Sequence, residues 1–163
     1  MKKEKINLLI VDDEEQFLEA MRKSLELRDF HVITVDGGEK ALEAAKNNPI
    51  DIALVDLKMP GISGEETLKA LKQQHKWLEV VILTGHGAVE SAIECTKSGA
   101  YSYLQKPCEL EELLKALQGA YKQKVMNRKK IEEAKMNKLM NIATSSSSRV
   151  ILRRLRELDE DED

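Results

Sequence analysis

Five short apolar segments, each bounded by polar or turn-forming residues, alternate with amphipathic segments along roughly the first 120 residues of the chain. We predict that the apolar segments are β-strands: Ile6–Val11, His31–Val35, Ile52–Val55, Val80–Thr84 and Ser102–Gln105. Within them, the runs Leu8–Val11 and Val80–Leu83 are apolar without alternation. Uninterrupted apolar runs are typical of parallel strands that helices cover on both faces.

The segments between the strands carry apolar residues at helical spacing, and Phe17, Leu18, Met21 and Leu25 form the apolar stripe of the first. The predicted helices are Glu14–Arg28, Gly38–Asn47, Gly64–His75 and Ala88–Ser98. Ser63 followed by Glu66 has the pattern of a capping box at the start of the third helix, and Gly99 is placed for a left-handed cap after the fourth. Regular alternation of strand and helix predicts an α/β fold with a single doubly wound, five-stranded parallel sheet and helices on both faces.

The remaining third of the chain has a different pattern. Glu109–Ala143 contains no proline and one glycine, and it is predicted to form one extended C-terminal helix. A four-serine linker, Ser145–Ser148, would separate this helix from a short amphipathic segment, Arg149–Leu158, and an acidic end, 159–163. We therefore predict three regions: a folded domain over 1–122, a helical extension over 123–143, and a linker with its amphipathic segment over 144–163.

Two interpretations remain open for each part of this tail. Because Arg128 and Lys135 interrupt the apolar stripe of the extension, the helix would either pair in a coiled-coil dimer or remain solvated. The segment Arg149–Leu158 would either dock as a helix in the groove of a partner protein or stay frayed.

Composition limits the classes of function. The chain has 163 residues, with 26 basic and 29 acidic side chains and a formal charge of −3, so no strong overall field favours nucleic acid or an anionic membrane. We expect no direct DNA binding and no membrane association. Cys95 and Cys108 have neither metal-ligand spacing nor the number needed for a disulfide framework, which fits the reducing cytoplasm.

Candidate chemistry lies where the predicted strands end. Asp12 and Asp13 follow the first strand and Asp56 follows the third. Carboxyl ends of neighbouring parallel strands meet at one edge of the sheet, so we expect the three carboxylates to share a shallow pocket. Their mutual repulsion requires a cation, and an all-oxygen site suits Mg²⁺, with Mn²⁺ as the alternative.

Thr84 at the end of the fourth strand and Lys106 after the fifth would complete this pocket. A hydroxyl and an ammonium that face a metal-bound carboxylate suit phosphoryl transfer onto Asp56, which would act as the nucleophile. Singly, each residue is commonplace, and Asp13 alone would be read as a helix cap. Five suitable residues at the ends of four different strands indicate a functional site.

The chain resembles the receiver domains of two-component response regulators. Four motifs carry the resemblance: Val11–Glu14, Asp56–Gly64, Leu83–Gly87 and Gly99–Pro107. They span about three quarters of the chain in the family's order. The sequence Thr84-Gly85-His86-Gly87 is most similar to receivers of bacterial enhancer-binding transcriptional activators.

This resemblance implies a CheY-like domain with the flavodoxin-like strand order 2-1-3-4-5. It also implies residue roles in the pocket. Mg²⁺ would be held by Asp12, Asp13, Asp56 and the main-chain carbonyl of Lys58. Lys106, joined to Pro107 by a cis peptide bond, would pair with the phosphoryl group. Thr84 and Tyr103 would be the switch residues, moving when Asp56 is phosphorylated.

The function that the resemblance implies is a regulatory phosphoswitch. A sensor histidine kinase or phosphotransfer protein would phosphorylate Asp56, and the face formed by the fourth helix, fifth strand and fifth helix would bind a downstream protein target or a second copy of the chain. The long C-terminal helix is the other candidate dimerisation surface. We expect no enzymatic activity beyond self-phosphorylation and autodephosphorylation.

Two alternatives differ in what the phosphate does. The chain could be a phosphorelay intermediate or a phosphate sink without conformational output. A phosphohydrolase with an aspartyl nucleophile is disfavoured, because such enzymes need a second acid two residues beyond the nucleophile, where this chain has Lys58.

Overall fold

Five parallel strands form one sheet in the order β2-β1-β3-β4-β5. The structure, a computed structural model, describes residues 4–85, 89–145 and 148–160. The strands are β1 (Ile6–Val11), β2 (Phe30–Val35), β3 (Ile52–Val55), β4 (Glu79–Thr84) and β5 (Ser102–Gln105). This order and direction confirm the predicted fold class.

Six helices accompany the sheet in the described part of the chain: α1 (Glu15–Glu26), α2 (Gly38–Asn47), α3 (Gly64–Gln74), α4 (Val89–Lys97), α5 (Leu110–Ser145) and α6 (Ser148–Glu160). The predicted first helix was too long at both ends, since Glu14 is its N-cap and Leu27 its C-cap. Ala88, the predicted start of the fourth helix, lies outside the described residues.

The predicted four-serine linker is wrong as drawn, because its outer residues are helical. Ser145 ends α5 and Ser148 begins α6, while residues 146 and 147 lie outside the described range. Serine costs a helix only about 0.5 kcal/mol relative to alanine, so a helix can continue into such a segment. The amphipathic segment predicted over Arg149–Leu158 lies within α6.

Alternate residues of the central strands face opposite sides of the sheet, and each side has its own apolar core. Leu8 and Ile10 of β1 face the layer formed by α1 and the first half of α5. Leu9 and Val11 face the layer formed by α2, α3 and α4. Both sets are almost fully buried, which explains why β1 reads as a continuous apolar run.

Local interactions fix the start of α3, the end of α4 and the segment before β3. The Ser63 hydroxyl accepts a hydrogen bond of 3.2 Å from the Glu66 amide, which confirms the predicted cap of α3. Gly99, just after α4, has a φ of +101°, as expected for a left-handed cap. Before β3, the Asp51 carboxylate accepts hydrogen bonds from the Asn7 amide, at 2.8 Å, and from the Lys124 ammonium.

The chain divides into two compact units, residues 1–124 and 125–163. The first contains the sheet, and the second contains the rest of α5 together with α6. In the second unit, Ile142 of α5 and Leu158 of α6 are half-buried and line one surface pocket. Within the described residues, no helix is long and apolar enough to span a membrane.

Candidate functional site

The predicted site residues follow the carboxyl ends of β1, β3, β4 and β5, and backbone hydrogen bonds extend the sheet into them. The Asp12 amide donates to Val35 at 3.2 Å, and the Asp56 amide donates to Val11 at 3.0 Å. The Lys106 amide donates to the Thr84 carbonyl at 2.9 Å. The backbone at Asp12, Asp56 and Lys106 is therefore held by sheet-like hydrogen bonds.

Three carboxylates meet in one pocket. Asp12, Asp13 and Asp56 each offer an oxygen, and these oxygens all lie within 4.8 Å of one another. Asp12 and Asp56 are 1% and 5% exposed, whereas Asp13 faces solvent. Asp56 Oδ1 is buried and has no hydrogen-bond partner in the described part of the chain. A buried, unpartnered carboxylate oxygen is costly, and a bound cation would satisfy it.

The Lys106 ammonium enters this pocket from β5. Its Nζ lies 2.5 Å from Asp12 Oδ2 and 4.0 Å from Asp56 Oδ2. The same atom lies over the Phe17 ring, 4.0 Å from its centroid. The peptide bond between Lys106 and Pro107 is cis, as the resemblance implies. One positive charge therefore offsets part of the negative charge of three acids.

Thr84 and Tyr103 belong to the two strands on one side of β3 in the sheet: Thr84 to β4 and Tyr103 to β5. Thr84 is fully buried at the end of β4. The Tyr103 hydroxyl is buried without a hydrogen-bond partner among the described residues. Burial raises the pKa of Tyr103, and the neighbouring Cys95 and Asp56 raise it further, so the phenol stays protonated.

Lys58 has an exposed side chain at the mouth of the pocket. A shallow surface depression there is lined by Asp13, Glu14, Asp56, Lys58, Met59 and Pro60. The structure thus brings every predicted site residue to one edge of the sheet. It also adds Phe17, which the sequence indicated only as part of the apolar stripe of the first helix. His86, in the predicted motif after β4, lies outside the described residues.

The fold and the pocket together define a doubly wound α/β domain with an acidic, lysine-containing site at the carboxyl ends of its strands. The family model described as the response regulator receiver domain matches residues 8–118. The chain therefore belongs to the response regulator receiver domains of two-component systems.

Two curated relatives illustrate the match. The cyclic di-GMP phosphodiesterase of Thermotoga maritima is 34% identical over 122 residues, which are 75% of this chain and 33% of that protein. The C4-dicarboxylate transport transcriptional regulatory protein DctD of Pseudomonas aeruginosa is 34% identical over 113 residues, 69% of this chain and 24% of that protein. The chain thus spans a quarter to a third of these relatives, and the match covers only that part of each.

Among solved structures, the beryllofluoride-activated NtrC4 receiver domain dimer is similar, with a TM-score of 0.69 and 29% identity. The match covers 72% of this chain and 98% of that one. A transcriptional regulator among the relatives agrees with the expected likeness to receivers of transcriptional activators.

Proposed function

We propose that this receiver domain is phosphorylated on Asp56 by a sensor histidine kinase or a phosphotransfer protein, and that the aspartyl phosphate switches a protein-interaction or dimerisation face. One observation carries the proposal. A nearly buried acid, Asp56, shares its pocket with two further carboxylates and with the Lys106 ammonium, 4.0 Å away.

The pocket fits a divalent cation. Asp12, Asp13, Asp56 and the main-chain carbonyl of Lys58 would hold Mg²⁺ or Mn²⁺. The convergence of three carboxylates and the unpartnered Asp56 Oδ1 support this assignment, because hard cations take oxygen ligands. When bound, the cation would supply electrostatic stabilisation of the transferring phosphoryl oxygens.

The proposed transfer needs no proton movement on this chain. A carboxylate oxygen of Asp56 attacks the phosphorus of the donor and forms a new P–O bond. The bond from phosphorus to the donor atom, nitrogen in a phosphohistidine or oxygen in acetyl phosphate, breaks as the leaving group takes the electron pair. Lys106, already within 4.0 Å of Asp56, would neutralise charge on the transferred group.

We propose that Thr84 and Tyr103 transmit the modification. The Thr84 hydroxyl would hydrogen-bond the phosphoryl group, and the Tyr103 ring would follow into the space behind it. Thr84 ends β4, the neighbour of the strand that precedes Asp56, and the Tyr103 hydroxyl has no hydrogen-bond partner among the described residues. Phosphorylation would shift the population between two arrangements of these side chains.

The responding surface would be the face of α4, β5 and the first half of α5. Val89 and Ile93 of α4 are 79% and 48% exposed, and Tyr101, just before β5, is 40% exposed. We propose that these exposed apolar side chains contact the partner. That the activated NtrC4 receiver is a dimer supports dimerisation as one output.

We further propose that residues 1–122 form the receiver, 123–143 a helical extension and 144–163 an accessory segment. The activity of the chain would be limited to its own phosphorylation and dephosphorylation. The absence of direct DNA binding stays a prediction, since DctD, a relative, is a transcriptional regulatory protein.

Acetyl phosphate provides the direct test. Incubation with acetyl phosphate and Mg²⁺ should add one phosphate, seen by intact-mass spectrometry, to the wild-type chain and none to Asp56→Ala. Light scattering after gel filtration would then report the oligomeric state. A phosphate on Asp56→Ala, or none on the wild type, would refute the assignment of Asp56. A phosphorylated chain whose oligomeric mass in light scattering and whose NMR resonances from α4 are both unchanged would favour the phosphorelay intermediate or phosphate sink.

A further inference from the structure

We infer that Phe17 is a positioning residue, whose ring face holds the Lys106 ammonium at the acidic pocket. This inference rests on the proposed phosphorylation of Asp56. Lys106 Nζ lies 4.0 Å from the centroid of the Phe17 ring, well within the distance at which an aromatic face attracts a cation.

The environment strengthens this contact. The Lys106 side chain is 17% exposed, and its ionic partners Asp12 and Asp56 are nearly buried. An aromatic face attracts a desolvated cation more strongly than a hydrated one. A lysine side chain is otherwise flexible and prefers to keep its ammonium in water. The ring therefore supplies an attraction that opposes the return of the ammonium to water.

The position of Phe17 is fixed by the rest of α1. Leu18 and Leu25 are buried in the core beneath α1, whereas Phe17 is only partly buried, at the edge of that core. An aliphatic residue would fill such an edge position equally well. What phenylalanine adds is a π-face directed at the ammonium of Lys106.

The consequence is preorganisation of the charge that phosphoryl transfer needs. With the ring in place, Lys106 stays between Asp12 and Asp56 instead of extending into solvent. A catalytic charge that is already in position costs no reorganisation at the moment of reaction. Loss of the ring should therefore slow phosphorylation of Asp56 without removing any group that reacts.

Two substitutions distinguish the effect of the aromatic face of Phe17 from the effect of its size. Phe17→Leu keeps an apolar side chain and removes the π-face, and Phe17→Tyr keeps the face. Protons next to Nζ that lie over a ring are shifted upfield in NMR spectra. The ε-methylene protons of Lys106 should be shifted in the wild type and in Phe17→Tyr, and should return to ordinary values in Phe17→Leu.

Phosphorylation by acetyl phosphate with Mg²⁺ should be about three- to ten-fold slower in Phe17→Leu, and Phe17→Tyr should restore it to within about two-fold of the wild type. Thermal unfolding of each variant checks the fold. If Phe17→Leu unfolds, Phe17→Met provides a second ring-free side chain.

Either of two results would overturn the inference: unshifted Lys106 protons in the wild type, or an unchanged rate in a folded ring-free variant. If the wild type accepts no phosphate, the proposed function fails instead, and the NMR comparison still decides whether the Phe17 ring holds Lys106.

Discussion

Gly64, the first residue of α3, provides a sharp test of how the fold supports the acceptor. Its amide donates a hydrogen bond of 2.9 Å to the Leu57 carbonyl, just after Asp56. A Cβ built on Gly64 would lie 2.0 Å from the carbonyl oxygen of Asp56 and 2.6 Å from Leu57 Cα. Both obstacles are backbone atoms, so Gly64→Ala must displace either α3 or the acceptor segment.

The expected loss of stability depends on whether the atoms that meet the new Cβ can move away. Overpacking a core typically costs 1–3 kcal/mol, and we expect about 3 kcal/mol for Gly64→Ala because no side-chain rotation can relieve the clash. Gly37→Ala is the matched control, since a Cβ there meets nothing within 4 Å. We expect that control to change the free energy of unfolding by no more than about 1 kcal/mol.

Gly38→Ala should fall between these two variants. Its Cβ would lie 2.1 Å from Thr67 Oγ1 and 2.5 Å from Ile62 Cγ1, which are side-chain atoms that can partly move away. Urea unfolding followed by circular dichroism measures the three costs. Acetyl phosphate labelling of the folded variants measures the effect on Asp56, which should be large only for Gly64→Ala.

The reasoning fails if the free energy of unfolding of Gly64→Ala is within about 1 kcal/mol of the wild-type value, the same limit that we expect for Gly37→Ala. It also fails if the folded Gly64→Ala variant is phosphorylated at the wild-type rate. The first result would mean that the backbone after β3 yields easily. The second would mean that the geometry of Asp56 does not depend on the start of α3.

Three further predictions concern stability. Lys124→Met should lower the free energy of unfolding in urea by about 2 kcal/mol, because it leaves the mostly buried Asp51 carboxylate without its ammonium partner. The same substitution made in an Asp51→Asn background should cost less. An equal cost in both backgrounds would contradict this pairing. Ser63→Ala should cost about 1 kcal/mol by removing the cap of α3, and an unchanged midpoint would disprove the role of that bond. Burial raises the pKa of Glu79, although Lys72 opposes the shift. The ionised form is therefore penalised in the folded state, and the stability of Glu79→Gln relative to the wild type should increase as the pH rises from the ordinary carboxyl pKa through the raised one. A difference that is constant or falls with pH would refute that sign.

Much of the fold could be predicted because its determinants are local. The non-alternating run Leu8–Val11 is typical of a strand buried on both faces, and the residues on its two sides do lie in separate cores. The sequence could not locate the end of α5 or the start of α6, because serine neither strongly favours nor strongly stops a helix. Whether Ser145 is helical depends on its tertiary contacts, which a pattern of apolar and polar residues does not reveal.

The position of the pocket could also be predicted from the strands, but the side-chain contacts within it could not. Parallel pairing aligns Val11 with Val55, so Asp12 and Asp56 must be neighbours once both strands exist. Phe17 was indicated only as core, because the contact of its ring with Lys106 depends on the rotamers of two residues distant in sequence. Rotamers of that kind are chosen by tertiary packing and leave no periodic signal.

Strand order alone would predict that Lys106 pairs most closely with Asp56, whereas its closer partner is Asp12. In the order β1-β3-β4-β5, three strand spacings of about 4.8 Å separate the end of β5 from that of β1, and only two separate it from β3. A flat sheet would therefore bring Lys106 closer to Asp56 than to Asp12. The ammonium instead lies 2.5 Å from Asp12 and 4.0 Å from Asp56, because sheets twist and a lysine side chain is long and flexible. In the described part of the chain, Asp56 Oδ1 has no hydrogen-bond partner. The closer pairing of Lys106 with Asp12 therefore leaves this oxygen of Asp56 available for the proposed cation and the proposed phosphoryl transfer.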